Sequence, residues 1–176
     1  MLDRNAMDRT LILGNSGSGK SFLAKRLSLL FSVDALDLDD IHWEPGDYAA
    51  ARDKQVALAM VRAAAANQAW VIEGVYGWLA EPALARATTL IWLAVHVDEC
   101  LDNLRQRGIR RGGDEASFDS LLAWAADYDT RATSSSRGGH ASLFEGFTGQ
   151  KIILSSRPEI DRLLRAVSHA QHGCKP

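Results

Sequence analysis

The residues best equipped for chemistry stand eight in a row: Gly14, Asn15, Ser16, Gly17, Ser18, Gly19, Lys20 and Ser21. They fit the spacing G-x-x-x-x-G-K-[ST], which folds into a cradle for the phosphates of a nucleoside triphosphate. Glycines let the backbone curl without Cβ clashes, so that successive N–H groups aim at one anion. A helix beginning at Lys20 adds the positive end of its dipole. Lys20 is then placed to reach the β- and γ-phosphates of ATP, and Ser21 to ligate Mg²⁺. The competing account is a glycine-rich turn without a ligand.

Carboxylates come next. The string Asp37-Leu38-Asp39-Asp40-Ile41-His42-Trp43 carries three of them. One could hold Mg²⁺ through water, and another could orient or deprotonate an acceptor hydroxyl. In phosphoryl transfer a protein contributes mainly positioning and charge neutralisation. Asp39 is the candidate for the acceptor and Asp37 for the metal, while Asp40 is expected to face solvent. Glu73 is a further candidate for the metal and the substrate. Tyr76 and Trp78 follow it, and their rings, with that of Trp43, could stack on a base or cover a sugar. The plainer alternatives are an acidic turn that caps the next segment and aromatic rings that merely pack.

Arg105, Arg107, Arg110 and Arg111 lie within seven positions that hold no acid, among Gly108, Gly112 and Gly113. A solvated helix end would account for them, because helix C-termini favour cations. A mobile lid would account for them too, its guanidinium groups closing over a triphosphate and excluding water. Arg107 and Arg111 are the candidate catalytic contacts of such a lid. Arg131 is a candidate substrate contact, and Arg137 could also reach a phosphate. His42 lies near the proposed site without an evident partner, His96 suits the cap of a turn, and no histidine pair has metal-ligand spacing.

These groups need a scaffold. Strand-like segments fall at 10–13, 34–38, 70–72, 88–95 and 151–154, and the acidic, aromatic and basic clusters come just after them. Between the strands run helical patterns. Leu23, Leu27 and Leu30 repeat at i, i+4, i+7, as do Val97, Leu101 and Leu104. A helix over about 48–66 is expected to put Val56, Ala59, Met60 and Ala63 on one face. Phe118, Leu121, Leu122 and Ala125 mark another helix, and Pro158 opens a last one. Such alternation predicts a three-layer α/β domain with a parallel sheet between helices, and ligands then bind beyond the carboxyl ends of the strands. The segment 132–149 reads as less regular, with a flexible stretch at 133–139.

A chain of 176 residues makes one domain the default, here with a lid at about 108–117 and a polar tail at 170–176. The net charge of −2 supplies no general attraction to nucleic acid. Cys100 and Cys174 have no metal or redox spacing, and Cys100 is expected to pack inside a helix. No run of about 18 apolar residues is present, and residues 1–5 lack the apolar core of a signal peptide. The expectation is a reduced, cytoplasmic protein. Oligomeric state is not legible here.

In combination these motifs resemble those of the adenylate-kinase-like and shikimate-kinase-like small-molecule kinases. They are most similar to bacterial adenylate-kinase-related proteins of the "DNA topology modulation protein" kind, which pair a P-loop with h-L-D-x-h-x-W and W-V-I-D-G-N-Y. The counterparts are Leu38-Asp39-Asp40-Ile41-His42-Trp43 and Trp70-Val71-Ile72-Glu73-Gly74-Val75-Tyr76. The resemblance implies a P-loop fold with five parallel strands in the order 2-3-1-4-5 and a lid after the fourth. It implies an ATP- and Mg²⁺-dependent phosphotransferase acting on a small hydroxyl- or phosphate-bearing acceptor. It assigns Asp39 to the acceptor and Asp37 to the metal. True adenylate kinases carry an arginine soon after the third strand that grips the AMP phosphate; here none follows until Arg86. The rival expectation is a regulatory P-loop ATPase that acts through a partner, with or without DNA.

Overall fold

A computed structural model describes residues 5–45, 47–109 and 113–172. The sheet is built on β1 (Arg9–Gly14), whose side chains are buried on both faces from Thr10 onward. That is the signature of a central parallel strand. β5 (Trp70–Gly74) and β6 (Thr89–Leu93) flank it and are buried throughout. β2 (Ala35–Asp37) and β7 (Gln150–Leu154) form the edges and expose some of their side chains. The order is β2-β5-β1-β6-β7, all parallel. Counted among the sheet strands alone, this is the expected 2-3-1-4-5.

Side chains alternate between the two faces of a strand, and β1 feeds two cores accordingly. Ile12 points into one with Leu23, Leu27, Ile91, Ile160 and Leu163. That core is covered by α1 (Lys20–Phe31), α5 (Val97–Arg107) and α8 (Arg157–His172). Leu11 and Leu13 point into the other with Leu38, Val61, Ile72, Leu79 and Leu90. That core is covered by α2 (Leu38–His42), α3 (Lys54–Ala65), α4 (Gly77–Leu84) and α7 (Arg137–Gly146). α6 (Glu115–Ala126) lies beside α5. Cys100 is buried in the first core, as its place in a helix suggested.

Several expectations change. Residues from Tyr48 do not begin a helix: β3 (Trp43–Glu44) and β4 (Asp47–Ala51) make a small antiparallel hairpin. α3 starts only at Lys54, where the Asp53 carboxylate accepts bonds from the N–H groups of Gln55 and Val56. The cap sets the helical phase, and Ala57, Val61 and Ala65 face inward, whereas Val56 and Met60 are 50% and 41% exposed. Alanine-rich sequence gives no strong apolar stripe, so the larger Val and Met misled the reading.

The stretch 132–149 is largely α7, capped by Ser136 through a bond from the Gly139 N–H. Gly139 seats it tightly against Thr133 and Ser134 rather than loosening it. The lid segment is also shorter than expected. α5 closes at Gly108, and α6 opens at Glu115 behind a reciprocal cap between Asp114 and Ser117. Arg110, Arg111 and Gly112 lie outside the described residues. The expected tail at 170–176 is overlapped by α8, which runs to His172.

Candidate active site

The phosphate loop joins β1 to α1, and its shape depends on two glycines. Gly17 and Gly19 have φ of +81° and +96°, a left-handed backbone that other residues adopt at a cost. At Gly17 space decides as well, since a Cβ would fall 2.2 Å from the carbonyl oxygen of Cys100. The loop is tied to its surroundings. The Asn15 amide donates to the Ala125 carbonyl and accepts from the Ser16 N–H. Asn103 on α5 donates to the Gly17 carbonyl. The Lys20 ammonium donates to the Asn15 carbonyl at 2.9 Å, which folds it back over the loop.

This loop fits a polyphosphate. Gly19 is the N-cap of α1 and provides no side-chain acceptor for the N–H groups of the first turn, so an anion can take that place. The Ser18 hydroxyl is buried without a hydrogen-bond partner. A buried orphan of this kind calls for an explanation, and a phosphate oxygen supplies one.

The carboxylates gather around the same point. Glu73, the fourth residue of β5, is 3% exposed. Burial, first of all, pushes its carboxyl up to about 7, against the pull of Lys20; Asp37 raises it, a hydrogen bond from Ser21 lowers it, and Asp39 raises it. Lys20, Ser21, Asp37 and Asp39 therefore all lie within electrostatic reach of Glu73. Asp37 has a second task. Its carboxylate accepts from the Asp39 N–H at 2.9 Å and caps α2, so part of the capping alternative is realised. Asp40 is exposed.

Among the described residues, no three His, Cys, Asp or Glu side chains form a metal cluster on their own. Mg²⁺ does not require one, because it keeps several waters and takes the rest of its shell from one or two carboxylates and substrate phosphates. Ser21, Glu73 and Asp37 match that donor chemistry.

Beside Asp39 stands a row of aromatic rings. His42 packs 4.1 Å from Tyr76 and 4.5 Å from Trp43, centroid to centroid. Trp78 lies 5.9 Å from His42 and Trp124 6.2 Å from Tyr76. The Trp43 side chain hydrogen-bonds the Tyr76 oxygen; burial is the main cause that raises the phenol, and Asp39 adds to it. Arg131 stacks 3.8 Å over Trp124 and donates to the carbonyls of Trp124 and Ser135. Its charge belongs to the wall's own scaffold. Arg137 is likewise held, by Asp129 and the Val95 carbonyl. Arg107 ends α5 on the exposed surface.

Sequence reasoning missed what supports this row. Trp92 donates to the Tyr128 hydroxyl at 3.2 Å, Tyr128 bonds His140 Nδ1 at 2.8 Å, and His140 Nε2 bonds the Val75 carbonyl at 3.0 Å. With the Nε2–H tautomer every donor in this buried chain has an acceptor. Burial lowers His140 to about 4, so it stays neutral. The chain holds Val75, the residue between Gly74 and Tyr76, from three distant segments. Trp124 left a faint trace, an aromatic outside the set Phe118, Leu121, Leu122, Ala125. His140 left none. A hollow of about 870 Å³ lies elsewhere, at the amino ends of the strands near Thr88, Phe147 and Gln150, away from every group described above.

Sheet order, glycine loop and buried lysine together define a P-loop α/β fold. No protein-family model matches the sequence, and no curated protein matches it at a significant level. Solved structures do match in three dimensions. A shikimate kinase from Acinetobacter baumannii, in complex with shikimate, aligns with a TM-score of 0.57 at 14% identity over 98% of this chain and 99% of that one. A gluconokinase from Sinorhizobium meliloti 1021 aligns at 0.54 and 15% identity, over 94% and 93%. A shikimate kinase from Bacteroides thetaiotaomicron aligns at 0.52 and 16% identity, over 93% and 98%. At such identities the likeness is one of fold: the chain has the fold of the P-loop kinases. No helix among the described residues is long and apolar enough to cross a membrane.

Proposed function

We propose that this protein is an ATP-dependent phosphotransferase that moves the γ-phosphoryl group to a small acceptor. The observation that carries the reading is the meeting of Lys20, Ser21, Glu73, Asp37 and Asp39 at the carboxyl ends of β1, β2 and β5. Residues 14–21 hold the triphosphate through backbone N–H groups and Lys20. Mg²⁺ bound by Ser21 with Glu73 or Asp37 would neutralise charge on the β- and γ-phosphates. Asp39 orients the acceptor. For a hydroxyl acceptor, its oxygen forms the new bond to the γ-phosphorus, the bond to the β–γ bridging oxygen breaks, ADP leaves, and the proton passes to Asp39. Lid arginines, Arg107 and Arg111, would close over the triphosphate and exclude water.

AMP is a poor fit as acceptor. Arg86, the first arginine after β5, donates to the Ala65 carbonyl at the far end of the sheet, and Arg131, whose charge does reach Tyr76, gives both terminal nitrogens to carbonyls, so neither is free to act as an AMP-phosphate clamp. The expectation of adenylate-kinase-like chemistry is accordingly narrowed to the fold and the donor site.

Two substitutions test the reading. Lys20→Ala should abolish ATP binding in calorimetry, and unchanged affinity would refute the triphosphate site. Asp39→Asn should leave ATP affinity nearly intact and lower acceptor-stimulated ADP release by about 100-fold or more, the range of a lost general base. Equal turnover removes Asp39 from the mechanism. ATP binding with no stimulation by any acceptor would favour the regulatory ATPase instead.

A further inference from the structure

Trp43, His42, Tyr76 and Trp124 make a continuous row beside Asp39, with Trp78 behind His42. All five are only half-buried, whereas Trp70 and Trp92 in the core are 4% and 8% exposed. The row comes from three separate parts of the chain, the α2–β3 corner, the start of α4 and the end of α6, so its continuity is not a by-product of one helix.

Carboxylates and cations both border the row. Asp37, Asp39 and Glu73 supply carboxylates. The cations beside it are held by their neighbours. Arg131 gives both terminal nitrogens to carbonyls, and Arg52 bonds the Ile41 carbonyl and pairs with Glu44 at 3.5 Å. Lys54 sits 5.4 Å over the Trp78 ring. His42 is lowered by burial, and so adds no charge near neutrality. A phosphate- or carboxylate-bearing acceptor would meet Asp37 and Asp39 there, while neither guanidinium beside the row has a free pair of terminal nitrogens to clamp it, and a missing clamp is one way a site rejects the wrong partner. A flat neutral ring meets π faces. His42 Nδ1 and Arg131 Nε, buried without hydrogen-bond partners, mark unfinished polar edges of the kind a heterocycle's ring nitrogens and exocyclic groups complete.

We infer that the acceptor is an uncharged compound joining a flat heterocyclic ring to a hydroxyl group, a nucleoside in chemical terms, and not a nucleotide or a sugar acid. This rests on the kinase reading. The heterocycle stacks on the row, and the sugar hydroxyl presented to Asp39 is the attacking oxygen in the transfer written above.

The row carries its own reporter, because three of the five tryptophans belong to it. The full chain is saturated with Mg²⁺ and a non-hydrolysable ATP analogue, so that the donor site is filled. Cytidine and inosine are then titrated, alongside their 5′-monophosphates, shikimate and gluconate, with binding followed by tryptophan fluorescence and calorimetry. Transfer is measured separately with ATP. The nucleosides should quench fluorescence and bind about ten-fold or more tighter than their monophosphates. Tyr76→Ala should weaken nucleoside binding by about ten-fold or more, while Tyr76→Phe retains it, the loss expected for one stacked base. Affinity for the ATP analogue checks that the Ala variant is folded. Tighter binding of a monophosphate or a sugar acid, no binding of either nucleoside, or equal binding by the Ala variant overturns the inference. The two readings fail separately. Nucleoside binding without transfer overturns the kinase and leaves the binding class standing; transfer to shikimate or gluconate upholds the kinase and overturns the class.

Discussion

The phosphate loop is written in eight consecutive residues and shaped by backbone; the aromatic row is collected from three segments and shaped by side chains. The first depends on what glycine lacks, a Cβ at position 17. The second depends on what Trp43, Tyr76 and Trp124 possess. The loop's partners, Asn15, Asn103 and Lys20, bond main-chain carbonyls, which any sequence supplies. The row's support runs through Trp92, Tyr128 and His140, whose identities matter one by one. A donor site that every member of a fold must share can be built from backbone. An acceptor site that distinguishes one small molecule from another needs side chains.

If that contrast holds, the loop should be the least forgiving place in the molecule. Gly17→Val puts a branched side chain at φ +81° and a Cβ 2.2 Å from the Cys100 carbonyl. Stability should fall by about 2–4 kcal/mol, combining backbone strain with overpacking, and ATP binding should be lost in calorimetry even where the chain still folds. A Gly17→Val protein that binds ATP normally would break the claim that the loop's shape is set by that glycine.

The same contrast explains what could be read in advance. Gly14 to Ser21 announce the loop because one spacing encodes the whole cradle, and Asp39 and Glu73 follow because parallel strands deliver the residues after them to one edge. The sheet strands were legible for a like reason, since 10–13, 70–72 and 88–95 are apolar runs of the kind only a doubly covered strand needs; their order was implied by the family resemblance alone. His140 was not legible, since its neighbours Tyr128 and Val75 are brought to it by tertiary folding alone. Nor was the β3–β4 hairpin, because alanines at 49–51 suit a helix and are overruled by pairing with Trp43 and Glu44.

A comparison in pH sharpens the contrast further, because each region buries a group that titrates in the acid to neutral range. Glu73 is raised to about 7 from an ordinary 4.5. Between those values the folded chain holds a proton that the unfolded chain has lost, so stability falls as pH rises through the window. His140 is lowered to about 4 from an ordinary 6.5. Between those values the unfolded chain gains a proton that the folded chain refuses, so stability falls as pH drops. From pH 4.5 to 6.5 the two slopes oppose, each at most about 1.4 kcal/mol per pH unit, and the wild-type denaturation midpoint should vary little. Glu73→Gln should unmask the His140 slope, and His140→Gln the Glu73 slope, with opposite signs in urea titrations at pH 4.5, 5.5 and 6.5. Slopes of the same sign in the two variants would show that one of these groups is not buried as described.

The smallest effect tests the scaffold behind the row. α3 packs Ala57 and Val61 into the core that also holds Leu38 and Ile41, the buried residues of α2 beneath His42. Val56, one position away, is half exposed. Val56→Gln should therefore change stability by no more than about 0.5 kcal/mol, the range of ordinary surface changes, and should leave the fluorescence of the row untouched. Ala57→Gln, the same side chain one residue along, places a long polar group in a fully buried position and should cost about 1–3 kcal/mol. The pair is read by thermal unfolding. If Val56→Gln proves the costlier, the phase of α3 is the one its larger side chains suggested, the Asp53 cap does not set it, and the floor on which the aromatic row stands must be redrawn.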